Sequence, residues 1–135
     1  LELLYHNHNF EFVENSKGVV PMDYFLENTS ADTVNFQLDL YWITAAGKDP
    51  VAYFEKYPGR FKMWHVKDMD EEGKFAPVGE GTIDFDRILK ERKASGMKYY
   101  IVEQDMTFDL KPLEAIKISH DNLKDFGFDK VKYKK

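Results

Sequence analysis

The sequence predicts an α/β fold built on a parallel sheet, and three observations predict it. Strand-like and helix-like patterns alternate along all 135 residues. The strand-like segments are short and rich in β-branched and aromatic residues, with turn signals between them. Each also carries an ionisable or polar residue near its C-terminal end, the edge at which parallel sheets bind ligands.

The elements follow in order. Leu1–Asn9 (LELLYHNHN) is β-prone and ends in polar residues; Leu1 already lies inside the apolar run, so a leader peptide, if there is one, is expected upstream. Pro21–Asn28 (PMDYFLEN) starts on proline and spaces its apolar residues as a helix does. Val34–Trp42 (VNFQLDLYW) alternates and reads as a second strand. Asp49-Pro50 opens a helix to about Tyr57, because aspartate caps an N-terminus and proline suits the first turn. Pro58-Gly59 ends it, and Phe61–Met69 (FKMWHVKDM) is the third strand. A polar loop follows from Asp70 to Thr82. Asp84 caps a helix through Ser95 that Gly96 closes. Tyr99–Asp105 (YYIVEQD) is the fourth strand, and Leu110–Asp125 the last helix, with Leu113, Ile116, Leu123 and Phe126 on or near one face.

A doubly wound sheet and a (β/α)8 barrel both satisfy four such units. The glycine-rich dinucleotide turn is absent after the first strand, which counts against the first. Four units supply about half of a barrel, which typically takes about 250 residues. The chain is therefore expected to be one partial domain, residues 1–135, with two open sheet edges and an uncovered apolar interior. Such a half is expected to pair with a second copy or with the missing N-terminal half-barrel.

Composition narrows the partners. A hydrophobic share of 43% and an aromatic share of 16% are those of a packed protein rather than a disordered one. The net charge of −5 leaves no basic field for a polyanion, so no nucleic acid is expected. The one basic run, Lys130–Lys135, reads as a solvated end. No apolar run approaches the roughly 20 residues that span a bilayer, so no membrane is expected. The absence of cysteine excludes disulfides and thiolate metal sites and says nothing about compartment.

The chemistry is expected at the strand ends: His6 and His8, Asp39, His65 and Lys67, and Glu103. Alternation puts His6 with His8, and His65 with Lys67, on common faces. One aspartate, one glutamate and one or two histidines form a mixed oxygen and nitrogen set suited to one divalent ion such as Mn²⁺, Zn²⁺, Co²⁺ or Mg²⁺. Any one of these histidines alone reads more readily as a hydrogen-bonded structural residue, but all four strands carry the right type at the right end, which points to one shared site. Trp42, Trp64 and Tyr41 are sugar-pocket candidates, and core packing accounts for each equally well. Gly79-Glu80-Gly81 resembles a backbone nest for an anion, with a plain turn as the simpler reading.

The segments YHNHNFEF (Tyr5–Phe12), QLDLYW (Gln37–Trp42), WHVKDMD (Trp64–Asp70), PVGEGTIDF (Pro77–Phe85) and IVEQD (Ile101–Asp105) occur in that order. Together they resemble the C-terminal half of the xylose isomerase-like TIM-barrel superfamily, in its sugar phosphate isomerase/epimerase branch. The resemblance implies one divalent ion, often Mn²⁺, held by ligands from barrel strands five to eight. Asp39, His65 and Glu103 match the ligands of strands six, seven and eight. Many epimerases have a glutamate ligand on strand five; here His6-Asn7-His8 stands there, with His6 favoured by alignment and His8 left open. Glu11 resembles a substrate-contacting glutamate of the epimerases.

The implied activity is isomerisation or epimerisation of a sugar or keto-sugar, by proton transfer beside a carbonyl through a metal-stabilised enediolate. Glu103 is the candidate base, His6 or His8 the opposing acid or base, and Lys67 an oxyanion contact; Trp42 and Glu11 complete the candidate substrate site. The histidine in place of glutamate leaves dehydration, or β-elimination from a 3-keto-glycoside, as the alternative on the same residues. A non-catalytic carbohydrate-binding relative is the other alternative. An endonuclease IV-like site is disfavoured, because Asp39-Leu40-Tyr41-Trp42 lacks the histidine of that branch's Asp-x-x-His pattern and its Asp-Arg-His segment is missing.

Overall fold

The computed structural model describes residues 2–132; Leu1 and the end of the basic tail, residues 133–135, lie outside the described residues. The chain runs β1 (Leu3–His6), a 3-10 turn (Phe10–Phe12), α1 (Pro21–Asn28), β2 (Val34–Asp39), α2 (Leu40–Ala45) and α3 (Pro50–Lys56). It continues with β3 (Met63–Val66), β4 (Asp68–Met69), β5 (Phe75–Ala76), α4 (Phe85–Lys90), α5 (Arg92–Ser95), β6 (Tyr99–Val102), α6 (Pro112–Asp125) and a 3-10 turn (Phe128–Lys130). Four strands form one parallel sheet in the order β1-β2-β3-β6, and β4 pairs antiparallel with β5. This is the α/β alternation of a (β/α)8 barrel, represented by four of its parallel strands.

Register sorts the residues into two faces. Tyr5 lies opposite Phe36, and Trp64 opposite Tyr100, on the side covered by helices. Phe36, Leu38, Trp64 and Val66 are buried there against residues such as Phe54 and Phe61. Phe54 and Trp64 stack with their centroids 5.3 Å apart. Trp64 Nε1 donates to Ser95 Oγ at 2.8 Å, and Ser95 Oγ donates to the Phe61 carbonyl, so the indole's one polar atom is satisfied inside the core. Trp64 is therefore a core residue, not a pocket wall; burying a side chain of this kind stabilises by about 1.5–3 kcal/mol.

Several boundaries differ from the sequence expectation. The second strand stops at Asp39 rather than Trp42, because Asp39 Oδ1 accepts a hydrogen bond from Trp42 N and caps α2. The third strand is interrupted after Val66, and Asp68–Met69 turns away to pair with Phe75–Ala76 inside the expected loop. The helix after Asp84 is broken at Glu91 into α4 and α5. Gly96 closes α5 at φ 82°, where an added Cβ would meet the Gly59 backbone. On α6 the buried residues are Ala115, Ser119 and Leu123, while Leu113 and Ile116 are exposed. Ser119 explains that face: its hydroxyl accepts from Val78 N and donates to the Ala115 carbonyl, docking α6 through small residues.

Candidate metal centre

The residues that meet at the C-terminal sheet edge do so because of register. Asp39 is the ladder partner of His65, and His65 is also that of Ile101, two residues before Glu103. His6 lies opposite Gln37, two residues before Asp39. A step of two along a strand preserves the face, which puts His6, Asp39 and His65 on the side away from the helices; Glu103 stands one residue past β6, where its N–H still donates to the Val66 carbonyl and continues the ladder. One ligand atom from each of His6, Asp39, His65 and Glu103 lies within 4.8 Å of all the others.

Asp39 is fully buried at the centre. Its Oδ2 is 3.2 Å from His6 Nε2, 3.5 Å from His65 Nδ1 and 3.3 Å from Lys67 Nζ. Burial would raise its pKa, but the contacts with His6 and His65, the Trp42 amide and the Lys67 charge outweigh burial and hold it well below the usual carboxylate range. It is an anion at neutral pH. The Asp39 backbone is fixed as well, since its N–H donates to Asn7 Oδ1 at 3.0 Å.

His65 supplies the observation that tests the fit to a cation. Its Nδ1 is buried and makes no hydrogen bond among the described residues, although Glu103 Oε2 is only 3.0 Å away. The separation is short but the direction is wrong for an N–H to reach the carboxylate. A buried nitrogen left so is costly unless something else takes its lone pair. Metal–ligand bonds of roughly 2.0–2.3 Å place neighbouring donors at spacings of this order. The four residues fit one divalent ion, through two imidazoles and two carboxylates.

Lys67 belongs to the same edge. Its side chain is buried, with Nζ 2.7 Å from Glu103 Oε2 and 2.7 Å from Asp105 Oδ2. Burial opposes its charge, yet the hydrogen bonds to Asp105 and Glu103 and the Asp39 charge outweigh it and raise its pKa. Its ammonium also lies 5.6 Å from the Trp42 ring centroid and 5.2 Å from that of Phe75.

The remaining predicted residues fall around this group. His8 lies past the end of β1, exposed, with its ring 5.1 Å from His6 and 5.3 Å from Trp42. It stands on the rim and outside the four-residue group. Trp42 is partly buried between His8 and Phe75. Glu11 is buried, and its two oxygens accept from the Tyr5 hydroxyl at 2.8 Å and from His8 N at 2.9 Å. Glu11 thus orders the segment carrying His8. Tyr41 is buried and donates to the Gly73 carbonyl at 2.7 Å.

Three residues with roles here carried no individual reading in the sequence: Asn7, Asp105 and Asp68. The buried Asp68 carboxylate accepts from the backbone N–H groups of Met69, Gly79, Gly81 and Ile83. The Gly79-Glu80-Gly81 nest is therefore filled by the chain's own anion, which folds the loop after β5 back beside the mouth. The invitation to find it lay in an acidic residue following the third strand's Lys67, but only the contact shows its use.

Comparison with known proteins bears on the family and the fold. A family model described as xylose isomerase-like TIM barrel matches residues 1–126. An inosose dehydratase of Lacticaseibacillus casei is 29% identical over 126 residues, covering 78% of this chain and 41% of that protein. Another, from Clostridium botulinum (strain Alaska E43 / Type E3), is 28% identical over 139 aligned positions, covering 87% and 45%. A sugar phosphate isomerase/epimerase from Parabacteroides distasonis superposes with a TM-score of 0.84 at 32% identity, covering 98% of this chain and 47% of that one. The chain thus spans less than half the length of each.

Proposed function

The chain belongs to the xylose isomerase-like TIM-barrel family, and from that membership we propose that it carries the metal centre of a sugar-active enzyme working by proton transfer beside a carbonyl. The observation that supports this most is the convergence of His6, Asp39, His65 and Glu103 around the buried, unbonded His65 Nδ1. A divalent ion, Mn²⁺ by preference, would supply Lewis acidity toward two adjacent oxygens of a sugar or keto-sugar when bound.

The chain's own groups divide the remaining work. Glu103 is partly exposed, with a side chain 37% accessible, and is the base that takes the proton from the carbon next to the carbonyl. Asp39, buried and anionic, stays in place as a fixed ligand. Lys67 Nζ stands beside both carboxylates and stabilises negative charge that develops on the substrate oxygen. His8, on the rim against Trp42, is placed to return a proton from the open side, and Trp42 offers its ring to an apolar sugar face. Glu11 acts through His8, whose amide it holds.

Isomerisation or epimerisation returns the proton to carbon. A second reading, dehydration, is favoured by the matched relatives named inosose dehydratase. In that case the same abstraction is followed by departure of the neighbouring hydroxyl as water, protonated by His8. The substrate is a sugar or sugar derivative in both readings, and a second copy or another half-barrel would complete the sheet.

The test is metal analysis and turnover of the whole protein with a keto-sugar and with an inosose in D2O. Deuterium at the carbon beside the carbonyl, lost together with bound metal in Asp39→Ala and with turnover in Glu103→Ala, is expected. Full turnover in either variant would sink the assignment. Sugar binding with neither metal nor deuterium entry would make the protein a non-catalytic binder.

A further inference from the structure

We propose that Asp105 is a positioning residue for the metal centre: it holds the buried Lys67 ammonium on its own carboxylate and so keeps Lys67 from competing with the ion for Asp39 and Glu103. The proposal rests on the metal reading above and adds a residue to it.

Three carboxylates surround Lys67 Nζ. Nζ hydrogen-bonds to Asp105 Oδ2 at 2.7 Å, and Glu103 Oε2 and Asp39 Oδ2 face it at 2.7 and 3.3 Å, the first of these two as a second hydrogen bond. Those last two oxygens are the same ones that flank His65 Nδ1, at 3.0 and 3.5 Å. One ammonium and one divalent ion thus call on the same pair of oxygens. Like charges at such separations repel strongly in a partly desolvated site. Lys67 is confined, its side chain almost fully buried with its ammonium near the Trp42 and Phe75 rings. Asp105 is the one acid of the three outside the candidate ligand group. Its side chain, 35% accessible, can take up the lysine charge without giving up a ligand.

The probe is Co²⁺, titrated by its visible absorption into the metal-stripped 135-residue chain. Asp105→Asn is expected to weaken binding about tenfold or more, the scale of losses from outer partners of metal ligands. Asp105→Glu, which keeps a carboxylate, is expected to recover most of that loss. In a Lys67→Met background the Asp105→Asn penalty is expected to shrink to about twofold or less, because its cause has been removed. A merely structural Asp105 would not show this dependence on Lys67. Unchanged affinity in Asp105→Asn, or the full penalty persisting in Lys67→Met, overturns the proposal while leaving the metal site standing. Failure of the parent chain to bind Co²⁺ overturns the metal reading itself. Should Asp105→Asn not fold, Asp105→Ser in the same cycle carries the same two outcomes.

Discussion

Asp39 and His65 are direct partners across the β2–β3 ladder, and Oδ2 of the first stands 3.5 Å from Nδ1 of the second. Backbone pairing therefore sets the centre of the candidate site before any ligand is present. Asp39 has a second duty, because its Oδ1 caps α2.

The two duties of Asp39 can be separated by substitution. Asn caps a helix as well as Asp does, whereas Ala costs about 0.5–2 kcal/mol at such a position. Asp39→Asn is expected to fold with α2 intact and to lose Co²⁺ affinity by more than the roughly 10–100-fold typical of outer-partner losses. Asp39→Ala should lose both metal and stability. Urea melts and Co²⁺ absorption on the two variants make the comparison, and strong Co²⁺ binding by Asp39→Asn would contradict a ligand role.

The loop beside the mouth depends on Gly81. A Cβ there would fall against Asp68 Oδ1, which accepts from Met69 N, and the Met69 carbonyl, which accepts from Thr82 N, so neither can move without losing a backbone hydrogen bond. Gly81→Ala is expected to destabilise by about 1–3 kcal/mol, the usual cost of overpacking. Gly81 does not stand at a positive φ, so this cost is crowding alone, without left-handed backbone strain. A urea midpoint for Gly81→Ala equal to that of the parent chain would refute the crowding argument.

Alkaline stability is expected to report on Tyr5. Burial, then the hydrogen bond to Glu11 and its negative charge, push the Tyr5 phenol up to about 12. A folded pKa above the unfolded value means the unfolded chain ionises first. The stabilisation is complete below about pH 10, the ordinary phenol value, and is lost as pH rises toward 12. Tyr57 shifts in the same direction and shares the effect. Tyr5→Phe should flatten, without abolishing, the fall in stability across that window in denaturation curves collected at each pH.

The sheet has two strands, β1 and β6, each paired on one side among the described residues. Leu3, Tyr99 and Ile101 are exposed on them. Edges of this kind recruit further strands, so light scattering of the 135-residue chain is expected to show a dimer or larger species. Ile101→Lys should shift it toward monomer. A clean monomer of the parent chain at tens of micromolar would count against the pairing.

Much of this was legible along the chain because period-two alternation and cap residues are local signals. α1 and α3 begin on Pro21 and Pro50 as expected, and Asp39, His65 and Glu103 each lie within one residue of a strand end. The errors came where local and tertiary preferences disagree. Leu40–Thr44 (LYWIT) is β-prone by composition, yet it is helical because the Asp39 carboxylate turns back onto Trp42 N. His8 follows His6 by two residues, but β1 has ended, so the alternation no longer governs where its ring points.

By itself the sequence determined the α/β alternation, the family, and which acids and imidazoles stand at the sheet edge. Those properties depend on residue type and spacing within each element. Only the tertiary structure decided that His6 and not His8 joins the group, that Asp68 fills the glycine nest, and that Lys67 is held by Asp105. Each of these is a contact whose partner is fixed by strand register, by the end of an element or by a loop's return path. Such contacts join residues far apart in the chain, 38 positions in the case of Lys67 and Asp105. No pattern confined to one strand or helix encodes that meeting.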